Sequence, residues 1–216
     1  MNKITVLADK NSVIQQFLTE IRDKDLQKDR LRFNRNIERI GELLAYELSK
    51  DLEYIDRETE TPLSNTTTQI LKEQPVVAAV LRAAIPLQRG VTNIFDHADC
   101  AFISAYRNYL DDSSFEIELG YVASPDIKNR TLIFTDPMLA TGKSVLLTLN
   151  SMLSLGEPKH THIVAVVASK QGLAMLNENL KNVSFWIGAV DDTLNSHSYI
   201  VPGLGDAGDL AFGTKE

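Results

Sequence analysis

Cysteine is nearly absent. Cys100 is the one cysteine among 216 residues, which excludes an internal disulfide framework and a cysteine-rich zinc site and suits a reducing, cytoplasmic setting. Cys100 itself reads as a small buried residue. Long hydrophobic runs are also missing: no apolar stretch reaches about 18 residues, so no transmembrane helix is expected. The opening MNKITVLADKNSV lacks the apolar core and small-residue cleavage site of a secretory signal. Positive charge is not in excess. Lys and Arg number 22 against 29 Asp and Glu, a net charge of −7, which makes a poor general binder of nucleic acid while leaving room for a local basic pocket around a phosphorylated small molecule. There is no internal repeat and no low-complexity tract. What is present is globular: 44% hydrophobic and 24% charged residues exclude disorder, and the length suits a single domain with a substantial core.

The chain alternates strand-like and helix-like segments. Residues 1–55 read as a helical region, with Ile37, Ile40, Leu44 and Leu48 at helical spacing and Arg32, Arg35 and Arg39 on another, solvated face. RETETPLSNTTTQI, with Pro62, reads as a polar connector. Continuous apolar runs at Val76–Leu81, Cys100–Tyr106, Thr131–Thr135, Thr161–Ala168 and Val183–Val190 read as buried strands. Helical segments at Pro86–Phe95, Ser144–Leu155 and Gly172–Leu180 lie between them. Residues 107–124 contain the alternating FEIEL and read as a hairpin flap projecting from the body. The C-terminal YIVPGLGDAGDLAFGT reads as a structured loop rather than an element. Short connections between alternating strands and helices predict an α/β fold with a mostly parallel sheet flanked by helices, with ligands at the carboxyl ends of the strands. His160 and His162 share one side of a strand start and, without a third ligand, read as structural.

The chemistry concentrates in RTLIFTDPMLATGKSV. A buried strand runs into Asp136, a loop carries Ala140, Thr141 and Gly142, and a helix begins near Ser144. A tight turn at a helix N-terminus aims backbone N–H groups and the positive end of the helix dipole at one spot, which suits a phosphate. Thr141 and Ser144 add hydroxyl donors. Asp136 would repel a phosphate and suits neutral hydroxyls or a metal ion, so a sugar phosphate meets both demands. ATGKS mimics the end of a Walker A loop, but Pro137 stands where its first glycine is required. Read alone, the segment is also compatible with an ordinary strand–turn–helix junction.

DPMLATGKS resembles the 5-phosphoribosyl diphosphate loop of the uracil phosphoribosyltransferases. AAVLRAAIPLQRG resembles that family's diphosphate loop, ISAYRN matches a further position, and YIVPGLGDAGDLAFGT resembles its C-terminal uracil-binding loop. The likeness covers most of the chain. It implies a single phosphoribosyltransferase type I domain over 1–216, with a flap at 107–124 and a hood at 195–216. It implies transfer of the phosphoribosyl group to uracil N1, giving UMP and diphosphate with Mg2+. Arg82 and Arg107 match diphosphate-contacting arginines, and Arg107 and Asp206 match catalytic positions. Asp136, Pro137, Met138, Leu139, Ala140, Thr141, Gly142, Lys143 and Ser144 match the phosphoribosyl loop. Ile200, Gly205, Asp206 and Ala207 match uracil-contacting positions, and Asp206 also reaches the Mg2+–diphosphate side. Homodimers or higher oligomers are implied, with GTP as an effector in some members.

Taken one at a time, Arg82 and Arg107 are ordinary surface or ion-pair residues, and Asp206 and Asp209 are turn formers. Their joint pattern carries the reading. Ala84, Lys143, Leu210 and the pair Lys170 and Gln171 depart from the family pattern. If position 84 needs a positive φ, Ala is strained there. These departures support an alternative, a regulatory uridine-nucleotide sensor of low activity on the same fold. A phosphoribosyltransferase for another base conflicts with the intact IVPGLGDAGD loop.

Overall fold

The computed structural model describes residues 2–109 and 115–214, and their side chains outside 105–119. Its elements, in chain order, are β1 (Lys3–Val6), α1 (Ile14–Arg22), α2 (Arg30–Ser49), β2 (Tyr54–Glu60), β3 (Asn65–Leu71), β4 (Val76–Leu81), α3 (Ile85–Ile94), β5 (Asp99–Tyr109), β6 (Phe115–Ala123), β7 (Thr131–Thr135), β8 (Met138–Leu139) and α4 (Lys143–Leu153). Then follow β9 (His160–Ser169), α5 (Lys170–Asn179), β10 (Val183–Asp191), β11 (Thr193–Leu194), β12 (Ile200–Val201) and α6 (Ala207–Phe212). The central sheet runs β1-β10-β9-β7-β4-β5-β6, with β8 added beside β9. All its pairings are parallel except β5 with β6.

Strand pleating explains the two cores. Val77, Ile133, Val164, Val166 and Trp186 point to one face, where Ile14 and Leu18 of α1, Ile37, Ile40 and Leu44 of α2, and Leu87 of α3 cover them. Their neighbours Ala78, Leu132, Phe134, Ile163, Ala165 and Phe185 point to the other, under Val145 and Leu149 of α4 and Leu173 and Leu176 of α5. Strands buried on both faces read as continuous apolar runs, which is why they are visible in the sequence. Asp29 caps α2 by accepting from the Arg32 amide at 3.0 Å. Arg32 and Arg35 lie on the solvated face, pairing with Glu20 at 2.8 Å and Glu38 at 2.6 Å, whereas Arg39 is half-buried, donating to Asn36 at 3.1 Å and stacking over Phe17.

Four segments depart from the sequence reading. The region 1–55 holds two helices but opens with β1, a parallel edge strand beside β10. RETETPLSNTTTQI is a hairpin: β2 and β3 pair antiparallel from Tyr54 opposite Leu71 to Glu60 opposite Asn65. Its turn closes around Pro62 through the Thr61 amide on the Ser64 carbonyl at 3.0 Å. Threonine favours strands, but both faces are largely exposed, so no apolar alternation marks it. Cys100 is exposed rather than buried, because the alternation of β5 turns Ala101 and Ile103 inward and Cys100 the other way. The C-terminal loop contains the short helix α6, capped by Asp206, and β12, paired with β11. Strands β5 and β6 pair antiparallel, with a register shift between Ser104 and Ala105; the expected flap at 107–124 falls partly on residues 110–114, which lie outside the described residues.

At the amino ends of the strands, a cleft of about 490 Å³ is lined by Asp51, Glu53, Glu73, Lys159, His160 and His162, among others. Its polar groups largely satisfy one another. Glu53 takes Lys159 at 2.6 Å and Lys72 at 2.9 Å, and His160 bonds Asn182 and Ser184 at 2.7 and 2.9 Å. The Trp186 indole donates to His162 Nδ1 at 3.0 Å, and burial pushes the His162 imidazole down to about 3. Both histidines are thus engaged by hydrogen bonds within the fold.

Candidate active site

The opposite end of the sheet gathers the motif residues. Strands β4 and β7 are neighbours, with Ala79 opposite Thr135. Arg82 follows β4 and Asp136 follows β7, so two distant segments emerge side by side at the carboxyl edge, where parallel sheets hold ligands. Thr135 ties them by donating its hydroxyl to the Ala78 carbonyl at 2.8 Å.

The turn after Asp136 is fixed at each step. The Asp136 carboxylate accepts the Met138 amide at 3.1 Å. The Pro137 carbonyl accepts the amides of Val166 and Val167 at 3.1 and 3.0 Å. Met138 and Leu139 then pair with Val167 and Ala168, and the Ala140 carbonyl accepts the Ser169 hydroxyl at 2.5 Å. Gly142 closes the turn at φ +77°, a conformation that favours glycine. The helix α4 starts directly behind it, with the Lys143 amide on the Thr141 hydroxyl at 3.4 Å. First-turn amides of a helix lack partners within it, so this end presents donors and dipole charge to an anion. Lys143 is exposed on that first turn, where a cation can meet a bound phosphate.

Asp136 is the electrostatic exception. Burial pushes its carboxyl up to about 6, against the lowering effect of the Met138 amide. A carboxylate held this way accepts hydrogen bonds from hydroxyl groups readily and sits poorly beside a second anion.

Arg82 is held by the C-terminal segment. One guanidinium nitrogen donates to the Gly213 carbonyl at 3.1 Å and stands 3.6 Å from the Asp209 carboxylate. Its Nε is buried without a partner among the described residues, which leaves a donor in reserve. Asp206 caps α6 by accepting the Asp209 amide at 2.9 Å. A Cβ on Gly208 would lie 3.2 Å from Asp206 Oδ1 and 3.7 Å from the Ala83 methyl, so the C-terminal loop lies directly on the loop that carries Arg82. Gly205 and Asp206 are exposed, whereas the side chains of Ile200 and Ala207 are buried in the core. Any contact from Ile200 therefore comes from its main chain. Arg107 occupies the β5 position opposite Ile117; its side chain lies outside the described set. The structure thus brings together Arg82, the 136–144 turn and the 205–209 segment.

The departures from the family pattern are accommodated. Ala84 has φ −80° and ψ −8°, so the backbone there is right-handed and unstrained. Leu210 packs half-buried against the core around Leu204 and Ala211. Lys170 pairs at the surface with Asp192 at 2.5 Å.

Sequence reasoning missed Ser169 and Gly172. Ser169 is fully buried; it caps α5 by accepting the Gly172 amide at 2.8 Å while donating to Ala140. A Cβ on Gly172 would stand 2.1 Å from the Ala140 carbonyl oxygen, so only glycine permits the approach. A Ser at a strand end with Gly three residues on was the available signal.

Residues 8–214 match the family model described as uracil phosphoribosyltransferase. A Porphyromonas gingivalis uracil phosphoribosyltransferase is 47% identical over 97% of both chains. One from Pyrococcus furiosus is 39% identical over 93% of this chain and 86% of that one. A solved structure of an Aquifex aeolicus protein superposes with TM-score 0.86 at 28% identity, covering 97% of this chain and 98% of that one. A Bacillus anthracis hypoxanthine-guanine phosphoribosyltransferase shares the fold at TM-score 0.53 and 14% identity, over 74% of this chain and 81% of that one.

Proposed function

Because the chain belongs to the uracil phosphoribosyltransferase family, we propose that it transfers the phosphoribosyl group of 5-phosphoribosyl 1-diphosphate to N1 of uracil, releasing UMP and diphosphate. The observation that carries this reading is the contact between the C-terminal loop and the Arg82 loop beside the anion-binding turn. A base held by the first would face a leaving group held by the second.

The roles follow from charge. Breaking the C1–O bond to diphosphate leaves oxocarbenium-like charge on the sugar, as in glycoside cleavage. The protein's task is positioning and charge neutralisation rather than covalent chemistry. The 5′-phosphate sits in the turn from Pro137 to Ser144, against the first-turn amides of α4. The Asp136 carboxylate accepts the ribose hydroxyls. Arg82 receives the diphosphate, exchanging its Gly213 and Asp209 contacts for phosphate oxygens and using its unpartnered Nε. The family resemblance assigns Arg107, on β5, to the diphosphate as well, and a site that excludes water protects the sugar from hydrolysis. Uracil is small, planar and uncharged, so main-chain groups around Ile200 and Gly205–Ala207 suffice to read its donors and acceptors.

Asp206 is a hard oxygen donor, which suits Mg2+ bound chiefly through substrate phosphates and waters. Asp206 has one oxygen committed to its helix cap, leaving the other for such a contact. When bound, the ion supplies charge neutralisation for the leaving diphosphate.

We place the protein in the cytoplasm as a homodimer or larger oligomer. Among the described residues no helix is long and apolar enough to cross a membrane. The β2–β3 hairpin exposes Tyr54, Ile55, Leu63 and Ile70, a surface suited to a second copy. GTP as an effector is supported by the family resemblance. The regulatory alternative loses its main physical support, because Ala84 is unstrained. Incubation with radiolabelled uracil, cytosine, hypoxanthine or orotate plus 5-phosphoribosyl 1-diphosphate and Mg2+, with and without GTP, tests the reading. Uracil-selective nucleotide formation supports it; equal use of another base refutes it.

A further inference from the structure

Arg22 ends α1 and Asp191 ends β10, 169 residues apart, yet they meet as a two-point ion pair at 2.8 and 2.9 Å. Neither belongs to a motif. Both are well shielded, with side-chain exposures of 22% and 8%, so the pair is largely removed from solvent screening.

What the pair encloses is Gly203. Its amide donates to Asp191 Oδ2 at 2.9 Å, and its carbonyl accepts from Arg22 Nη1 at 3.1 Å. Both main-chain polar groups of one residue are therefore held by one fork. Gly203 has φ +58°, and a Cβ there would lie 2.1 Å from the Ile200 carbonyl oxygen. The next residue is held from the same quarter: with its amide oriented to suit its neighbours, Gln27 donates to the carbonyls of Leu204 at 2.8 Å and Ile21 at 3.1 Å. Immediately beyond, Gly205 and Asp206 emerge into solvent at the site.

We infer that Arg22 and Asp191 are positioning residues for the base, fixing the 203–207 main chain so that its amides and carbonyls match uracil. This rests on the proposed function. It assigns to α1 a part in substrate selection through the main chain that Arg22 holds. Main-chain recognition of a small planar ring tolerates little displacement, because a misplacement of about 1 Å can cost on the order of a hundredfold. The 5-phosphoribosyl diphosphate turn is held by separate contacts, to Val166, Val167 and Ser169, so its affinity is independent of this pair.

The test compares Arg22→Ala, Arg22→Lys and Asp191→Asn with the wild type. KM for uracil, affinity for 5-phosphoribosyl 1-diphosphate by calorimetry, and hydrogen exchange at the 203–207 amides are measured on folded protein. The expected result is a rise in uracil KM of roughly tenfold to a hundredfold, unchanged 5-phosphoribosyl 1-diphosphate affinity, and faster exchange confined to 203–207. Arg22→Lys, which keeps the charge but not the fork, should fall between Arg22→Ala and wild type; it also serves if Asp191→Asn does not fold. Unchanged uracil KM and unchanged exchange in folded variants would overturn the inference while leaving the proposed reaction standing. A wild type that makes no UMP would refute the reaction instead, and the exchange data would still decide whether the pair fixes the loop.

Discussion

Ser169 donates its hydroxyl to the Ala140 carbonyl at 2.5 Å and accepts the Gly172 amide at 2.8 Å, so one buried oxygen joins the anion-binding turn to the start of α5. Removing it leaves a buried carbonyl and a helix end short of partners. Ser169→Ala should cost about 1–3 kcal/mol in stability and raise KM for 5-phosphoribosyl 1-diphosphate more than KM for uracil. Gly172→Ala, whose new methyl carbon would meet the Ala140 oxygen at 2.1 Å, should be more severe. Denaturant melts and two-substrate kinetics check both; an equal effect on the two KM values would contradict the assignment.

Asp136 trades stability for function. Its carboxyl ionises at about 6 in the folded protein against an ordinary 3.8. Between these values the folded chain holds a proton that the unfolded chain has lost, so stability falls as pH rises through the window and stays lower above it. Asp136→Asn should therefore melt higher at pH 7.5, by about 5 °C, while losing most turnover. Wild-type activity should rise with pH through about 6 as the carboxylate forms. Calorimetry and a pH–rate profile read these directions; a variant that melts lower and keeps its activity would go against them.

His162 sets an acid limit of the opposite sign. Its folded value of about 3 lies below the ordinary 6.5, so the unfolded chain binds a proton that the folded chain refuses. Stability is lost as pH falls from 6.5 toward 3, by up to about 1.4 kcal/mol per pH unit. His162→Gln keeps an acceptor for the Trp186 indole and removes the titration. Its melting temperature should vary less between pH 7 and 5 than that of the wild type, with catalysis at pH 7.5 unchanged. Parallel pH dependences in the two proteins would show that another group governs the acid limb.

Much of this molecule is legible along the chain. Thr131–Thr135 is visible as a strand because parallel strands buried on both faces are continuously apolar, and Asp136 at its end is visible because a charge abruptly ends that run. The turn to Ser144 follows from one glycine and a helix start. Other parts are not local properties. Threonine-rich β2 and β3 are wet on both faces and give no period. Cys100 faces outward because of the phase of β5, which composition does not reveal. Asp206 looks like a turn former until α6 is seen behind it. Arg22, Asp191 and Gly203 carry no sequence signal as a group, since only the closed fold brings an N-terminal helix end to a C-terminal loop.

The most direct measurement is formation of UMP and diphosphate from uracil and 5-phosphoribosyl 1-diphosphate with Mg2+, by the wild type and by Asp206→Ala. Robust turnover by the wild type is expected. Asp206→Ala should turn over at least about a hundredfold more slowly, with a native circular dichroism spectrum. No UMP from the wild type, or near-normal turnover by Asp206→Ala, would contradict the joining of the C-terminal loop and the Arg82 loop into one active site.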